Sequence, residues 1–253
     1  MGSAVMVSAH RPADLAAVRA AVALGADFVE LDVRRCRDGV LVLAHDPEVV
    51  VDDRRVAVAE LTRAELEELS PAPPPTVADC LAALAGRARA HVDLKLTSPP
   101  ELYARPVGTW EVQAVRQVLA VLGEQGAVVT SDDLSSVRAV RAWARATGRA
   151  DLLVGPSLGA DPPGPPLWRR GLRLAGELLA PGRRLRACDA TLVAANHPLA
   201  RLTLARWARR RGLPLLVWTV DDDADLARWL RSSAWLVTTD RLERALALRA
   251  EDR

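Results

Sequence analysis

Strand-like and helix-like segments alternate along this chain from one end to the other, and that alternation limits the fold more than any other feature of the sequence. A strand, a helix and a second strand in succession build parallel sheet, because the helix carries the chain back across one face. Strands are expected over residues 5–10, 27–33, 90–96, 127–131, 152–156, 184–188, 215–220 and 235–239. Helical periodicity falls between them, over 13–24, 110–124, 134–147, 167–179, 199–211, 223–231 and 242–249. Gly25, Gly126, Gly148 and Gly212 follow four of these segments as helix stops. Eight such strands fit a (β/α)8 TIM barrel, with a doubly wound open sheet as the alternative. Barrels of this type commonly use about 250 residues as one domain, so residues 1–253 are expected to form a single barrel domain.

The alternation breaks between the second and third expected strands. Residues 40–84 hold a short extended piece at 40–44, a proline-rich linker at 71–75, and helices near 62–69 and 76–85. This reads as a small excursion from the barrel. A second Pro/Gly-rich stretch, 159–166, reads as a surface loop before a helix.

Charged residues sit inside strands that otherwise read as core. In Phe28-Val29-Glu30-Leu31-Asp32-Val33 alternate side chains share a face, so Glu30 and Asp32 project together. His91, Asp93 and Lys95 do the same on the next barrel strand. A buried charge costs several kcal/mol in effective terms unless it is paired or bound to metal. Three carboxylates without thiolates suit a hard cation, Mg²⁺ or Ca²⁺. A salt-bridge network in which Lys95 neutralises Asp93 accounts for the same residues equally well.

Two histidines add chemistry. His10 ends the first strand and precedes Arg11; His45 follows the apolar piece at 40–44 and precedes Asp46. Barrel active sites lie at the carboxyl ends of the strands. That rule puts His10, Glu30, Asp32, Asp93 and Lys95 on one rim, with His45 within reach. Two imidazoles can divide general base and general acid work, and Asp46 can orient His45. His91 lies lower on its strand and reads as structural; His197, before Pro198, reads as a helix start.

Composition sharpens and excludes. Lys95 is the only lysine, in a chain that lacks isoleucine altogether. A residue type so depleted survives best where a compact point charge cannot be replaced by the wide guanidinium fork. The formal net charge is +2 with charges interspersed, so the basic stripe of a nucleic-acid binder is missing. The arginine-rich stretch 206–211 reads as a solvated helix face. Cys36, Cys80 and Cys188 are far apart and lack metal-ligand spacing, which fits a reducing compartment. The apolar start at 4–9 is too short for a signal-peptide core, and no run approaches the roughly 18 apolar residues of a membrane span. A cytoplasmic protein without stable membrane insertion is expected.

These residues together resemble the glycerophosphodiester phosphodiesterase family. Its opening His-Arg-Gly corresponds to His10-Arg11-Pro12, and its Gly-Ala-Asp-x-x-Glu-x-Asp-Val to Gly25-Ala26-Asp27-Phe28-Val29-Glu30-Leu31-Asp32-Val33. Its Asp-Gly-x-x-Val-x-x-His-Asp pattern appears at Asp38 to Asp46, and its Glu-x-Lys as Asp93-Leu94-Lys95. Trp218-Thr219-Val220-Asp221 looks like Trp-Thr-Val-Asn, and Thr239-Asp240-Arg241 like the closing Thr-Asp-Arg-Pro.

The resemblance implies a TIM barrel that hydrolyses glycerophosphodiesters to sn-glycerol 3-phosphate and an alcohol. It implies that Glu30, Asp32 and Asp93 bind one divalent cation and that His10 and His45 are the acid/base pair. Arg11 and Lys95 would hold phosphate oxygens, and Trp218 would line the substrate pocket. The chain departs from the pattern at Pro12, in the missing Pro-Glu-Asn-Thr segment after it, and at Asp93 in place of glutamate. Aspartate there is similar to sphingomyelinase-D-type phospholipases. Phospholipase-D-like action on lysophospholipids or sphingolipids, and a non-catalytic phosphoester-binding barrel, are therefore the competing readings.

Overall fold

A computed structural model of the chain describes residues 4–51, 54–159, 176, 180 and 182–251. The strands run β1 (Met6–Ala9), β2 (Phe28–Arg35), β3 (Leu41–Leu43), β4 (Glu48–Val51), β5 (Arg54–Ala57) and β6 (Arg89–Leu94). They continue with β7 (Ala127–Ser131), β8 (Leu153–Leu158), β9 (Val193–Asn196), β10 (Leu215–Trp218) and β11 (Leu236–Thr239). Eight of them close on themselves in the order β1-β11-β10-β9-β8-β7-β6-β2, since β1 pairs with both β11 and β2. Every pairing in that ring is parallel, which makes it a (β/α)8 barrel and disposes of the open sheet.

Strand alternation divides the apolar residues between two cores. Outward-facing Val7, Val29, Leu31, Val92, Val129 and Val217 join the large cluster beneath the helices. Inward-facing Phe28, Val128, Leu192, Ala194, Leu216 and Leu236 form a separate cluster inside the barrel. Covering both faces of a parallel sheet requires this arrangement. Two residues beyond Phe28 on β2 the inward face carries Glu30, in register with His91 on β6, and both are buried.

The helices around the ring begin on side-chain caps. Asp14 accepts from the Ala17 amide at the start of α1 (Leu15–Leu24), and Gly25 ends it in the left-handed conformation. Thr109 and Asp133 cap the helices Trp110–Leu122 and Leu134–Ala146 in the same way. Among the described residues, no helix is long and apolar enough to cross a membrane.

The excursion has its own small core of Cys36, Val42, Val58, Leu61 and Leu66. It contains the expected extended piece as β3 and the expected helices as Arg63–Leu69 and Val77–Leu84, together with an unexpected hairpin, β4–β5. β3 runs antiparallel to the far end of β2, along the edge beyond the end of β1.

One expected strand is wrong. Residues 184–188 belong to a helix, Gly182–Ala187, and its turn, while the sixth barrel strand is β9, Val193–Asn196. Leu185 and Cys188 are buried three residues apart, which is helical spacing, whereas β9 is a short run of small apolar residues ending at Asn196. The helix expected over 199–211 starts at His197 and passes through a π turn, Ala200–Leu204, before Ala205–Arg211. The helix expected over 167–179 and nearly all of the 159–166 loop lie outside the described residues, apart from Gly159 and Gly176. Cys36, Cys80 and Cys188 are free and buried.

Candidate active site

The register of β2 and β6 sets Asp32 beside Asp93 and Glu30 beside His91. All four are buried. Glu30, Asp32 and Asp93 each offer an oxygen within 4.8 Å of the others. Lys95, one residue past β6, places Nζ 2.6 Å from Asp93 Oδ2 and 3.7 Å from Asp32 Oδ1. Arg11 reaches Asp32 from the end of β1, with Nε 3.4 Å from Oδ2. Its backbone has φ 41°, a left-handed conformation that costs a non-glycine residue about 1–2 kcal/mol.

Crowded carboxylates in a dry setting titrate unusually. Burial, with Asp32 and Asp93 adding like charge, pushes the Glu30 carboxyl well above its ordinary range. Asp32 rises through burial and the charge of Asp93. Asp93 moves the other way: burial opposes its ionisation, but Lys95 and the Thr130 hydroxyl outweigh it. Burial likewise opposes the Lys95 ammonium, yet Asp93 and Asp32 hold it above its usual value. Burial drives His91 down to about 4, so its imidazole is neutral.

The donor set fits a divalent cation. Glu30 Oε2 and Asp32 Oδ1 are buried with no hydrogen-bond partner. Bare carboxylate oxygens in a closed site are unfavourable until a cation meets them, and hard oxygen ligands select the Mg²⁺ and Ca²⁺ class. The triad could therefore hold one.

Both candidate histidines are held by aspartates. His45 Nδ1 lies 2.8 Å from Asp46 Oδ1, and His10 Nδ1 lies 2.8 Å from Asp240 Oδ1. A carboxylate only accepts, so Nδ1 carries the proton in each ring and Nε2 is left for chemistry. His10 Nε2 has the Thr219 hydroxyl at 3.4 Å. Asp221 braces the turn that presents Asp240, accepting from the Asp240 amide at 2.9 Å and the Thr239 hydroxyl at 3.0 Å.

Trp218 ends β10, half-buried, and packs onto the apolar cluster inside the barrel. The structure thus joins Arg11, Glu30, Asp32, Asp93 and Lys95 through the contacts just given, and sets His10 directly after β1, against Asp240 and Thr219. Asp46 meets His45 as expected. Three residues of the site were not read from the sequence. Asp240 belongs to the Thr239-Asp240-Arg241 motif, but its partner is 230 positions away. Thr130 and Arg34 look like an ordinary strand residue and a strand-end residue, and only the fold reveals what they touch.

Cleavage of a phosphate ester beside a metal is the chemistry such a rim can support. Residues 13–244 match the model of the glycerophosphoryl diester phosphodiesterase family. The chain belongs to that family, whose members are phosphoric diester hydrolases.

Solved structures agree on the fold. A glycerophosphodiester phosphodiesterase from Parabacteroides distasonis is similar at 19% identity over 100% of both chains, with a TM-score of 0.73. One from Thermotoga maritima shares 20% identity over 98% of this chain and 100% of its own, with a TM-score of 0.68. An Oleispira antarctica phosphodiesterase, solved with its product sn-glycerol 3-phosphate, shares 18% over 97% and 96%, with a TM-score of 0.71. No curated protein matches the sequence.

Proposed function

We propose that this enzyme hydrolyses glycerophosphodiesters to sn-glycerol 3-phosphate and an alcohol, with one Mg²⁺ or Ca²⁺ held by Glu30, Asp32 and Asp93. The observation that carries the reading is a pair of aspartate-held imidazoles with a buried carboxylate triad, two of whose oxygens have no hydrogen-bond partner. The Oleispira phosphodiesterase with bound sn-glycerol 3-phosphate supports the choice of product. Bound to the triad, the cation would supply Lewis acidity toward a phosphoryl oxygen.

The protein's own groups do the rest. Arg11 and Lys95 orient the diester and offset charge that grows on its oxygens in the transition state. One Nε2, of His10 or His45, takes the proton from the attacking hydroxyl or water. The other returns a proton to the leaving alkoxide, which would otherwise depart as a strong base. Trp218 lines the pocket. We assign the activity to one barrel domain over residues 1–253 and to the cytoplasm, where the three free cysteines stay reduced.

The test is release of sn-glycerol 3-phosphate from a panel of glycerophosphodiesters, with Mg²⁺, Ca²⁺ or EDTA. Metal-dependent turnover by the wild type, lost in His45→Ala by about 10²- to 10⁴-fold, is expected. Turnover confined to lysophospholipids or sphingolipids would replace this reading with the phospholipase-D-like one. Binding without turnover on any substrate would leave only a phosphoester-binding barrel.

A further inference from the structure

Beside the carboxylate triad stand two residues without a part in the chemistry above. Thr130 on β7 stands beside Asp93 in register, and His91 lies two residues before Asp93 on the same inward face. The Thr130 hydroxyl is 2.8 Å from Asp93 Oδ1 and 3.0 Å from His91 Nε2. Both residues are almost wholly buried, at 1% and 2% exposure.

The hydrogen-bond directions follow from counting protons. A hydroxyl has one proton, and an ionised carboxylate has none to give. Thr130 therefore donates to Asp93 and accepts from His91 Nε2–H. That order is the same whether or not Nδ1 also carries a proton. His91 Nδ1 faces Glu30 Oε2 at 3.6 Å, neither atom having a hydrogen-bond partner.

We propose that Thr130 and His91 are positioning residues for the cation site, Thr130 fixing the Asp93 carboxylate and His91 fixing Thr130. This rests on the reading that the triad binds a cation. Asp93 is clamped on both oxygens, Oδ1 by Thr130 and Oδ2 by Lys95, so its carboxylate plane cannot swing away. Outer residues that orient metal ligands typically change affinity by about 10- to 100-fold when removed.

The experiment is calorimetric titration of the intact protein with Mg²⁺ and with Ca²⁺, for wild type, Thr130→Val and Thr130→Ser. Valine keeps the shape and removes the hydroxyl; its Kd should weaken about 10- to 100-fold. Serine keeps the hydroxyl and should stay within about threefold of wild type. Long-range ¹H–¹⁵N spectra of the wild type, with His91 assigned by its absence in His91→Gln, should show the ring proton on Nε2. That measurement decides the hydrogen-bond order even if the valine variant fails to fold. A wild-type Kd in Thr130→Val, or a lone His91 proton on Nδ1, overturns the positioning role alone. Failure of the wild type to bind either cation overturns the metal reading and this proposal together.

Discussion

The guanidinium of Arg34 grips the carbonyl oxygen of His45 from two nitrogens, Nη2 at 2.7 Å and Nε at 3.1 Å. Its remaining nitrogen, Nη1, donates to the Lys95 carbonyl at 2.8 Å. Arg34 lies two residues beyond Asp32 on β2, so one side chain ties the strand of Glu30 and Asp32 to the backbone of a candidate acid/base residue and of the lysine. With Arg34→Ala we expect kcat/KM to fall about 10- to 100-fold, because a displacement near 1 Å is enough for such losses. Arg34→Lys should not restore it, since an ammonium cannot span both carbonyls. Steady-state kinetics on the best substrate of the panel would check both.

Asp240 should matter through His10. The imidazole side chain is 10% exposed and the carboxylate 57%, so the pair is half in water and less strongly coupled than a fully buried one. Asp240→Ala should lower kcat at least about tenfold with little change in KM, as expected when a catalytic ring loses its preferred tautomer and not its substrate. An unchanged kcat would remove Asp240 from the account.

The Glu30 carboxyl gives a pH signature in the metal-free protein. Its folded value is raised by burial first and by Asp32 and Asp93 second. A raised value means stability that is present below the ordinary value of 4.5 and lost as pH climbs through the folded one. In EDTA, Glu30→Gln should therefore gain on the wild type in Tm as pH rises from about 4.5 toward 8. Added Mg²⁺ should stabilise only the wild type. Parallel Tm profiles for the two proteins would show that Glu30 does not titrate as described.

Glu111 predicts a stability effect without chemistry. It is fully buried in a helix and accepts from the Ser98 amide at 3.0 Å, the Ser136 hydroxyl at 2.8 Å, and the Ser98 and Tyr103 hydroxyls. Glu111→Ala would strand those donors and should destabilise the fold by about 3–4 kcal/mol in urea unfolding. The segment it anchors follows Lys95 directly, so activity should fall only as far as folding does.

The sequence made the site's framework legible because period-two alternation puts charges on a known face. Glu30, Asp32, His91 and Asp93 needed nothing more than strand assignment to be brought together. Local pattern failed where it carries no direction. The run Leu192-Val193-Ala194-Ala195 is small and apolar throughout, so neither period marks it, and the arginine-rich helix before it took its place in the strand count. Arg34, Thr130 and Asp240 escaped for a different reason. Each touches a partner on another element, and no spacing along the chain encodes a contact across the barrel. His91 read as structural from its depth alone, which was right about its place and silent about its neighbours.

The overrun of β2 past the barrel sets a rule for anyone who would graft a new loop here. Residues Val33 to Arg35 extend beyond the end of β1, and β3 covers the edge they would otherwise expose. The Ala44 amide then donates to the Asp32 carbonyl at 2.9 Å, one residue before His45. Trimming the excursion would leave an open strand edge, the kind that recruits other chains into aggregates. It would also cut the tether that carries His45 to the rim. Residues 36–84 are therefore best exchanged as one cassette, with β3 and its hydrogen bonds to β2 retained.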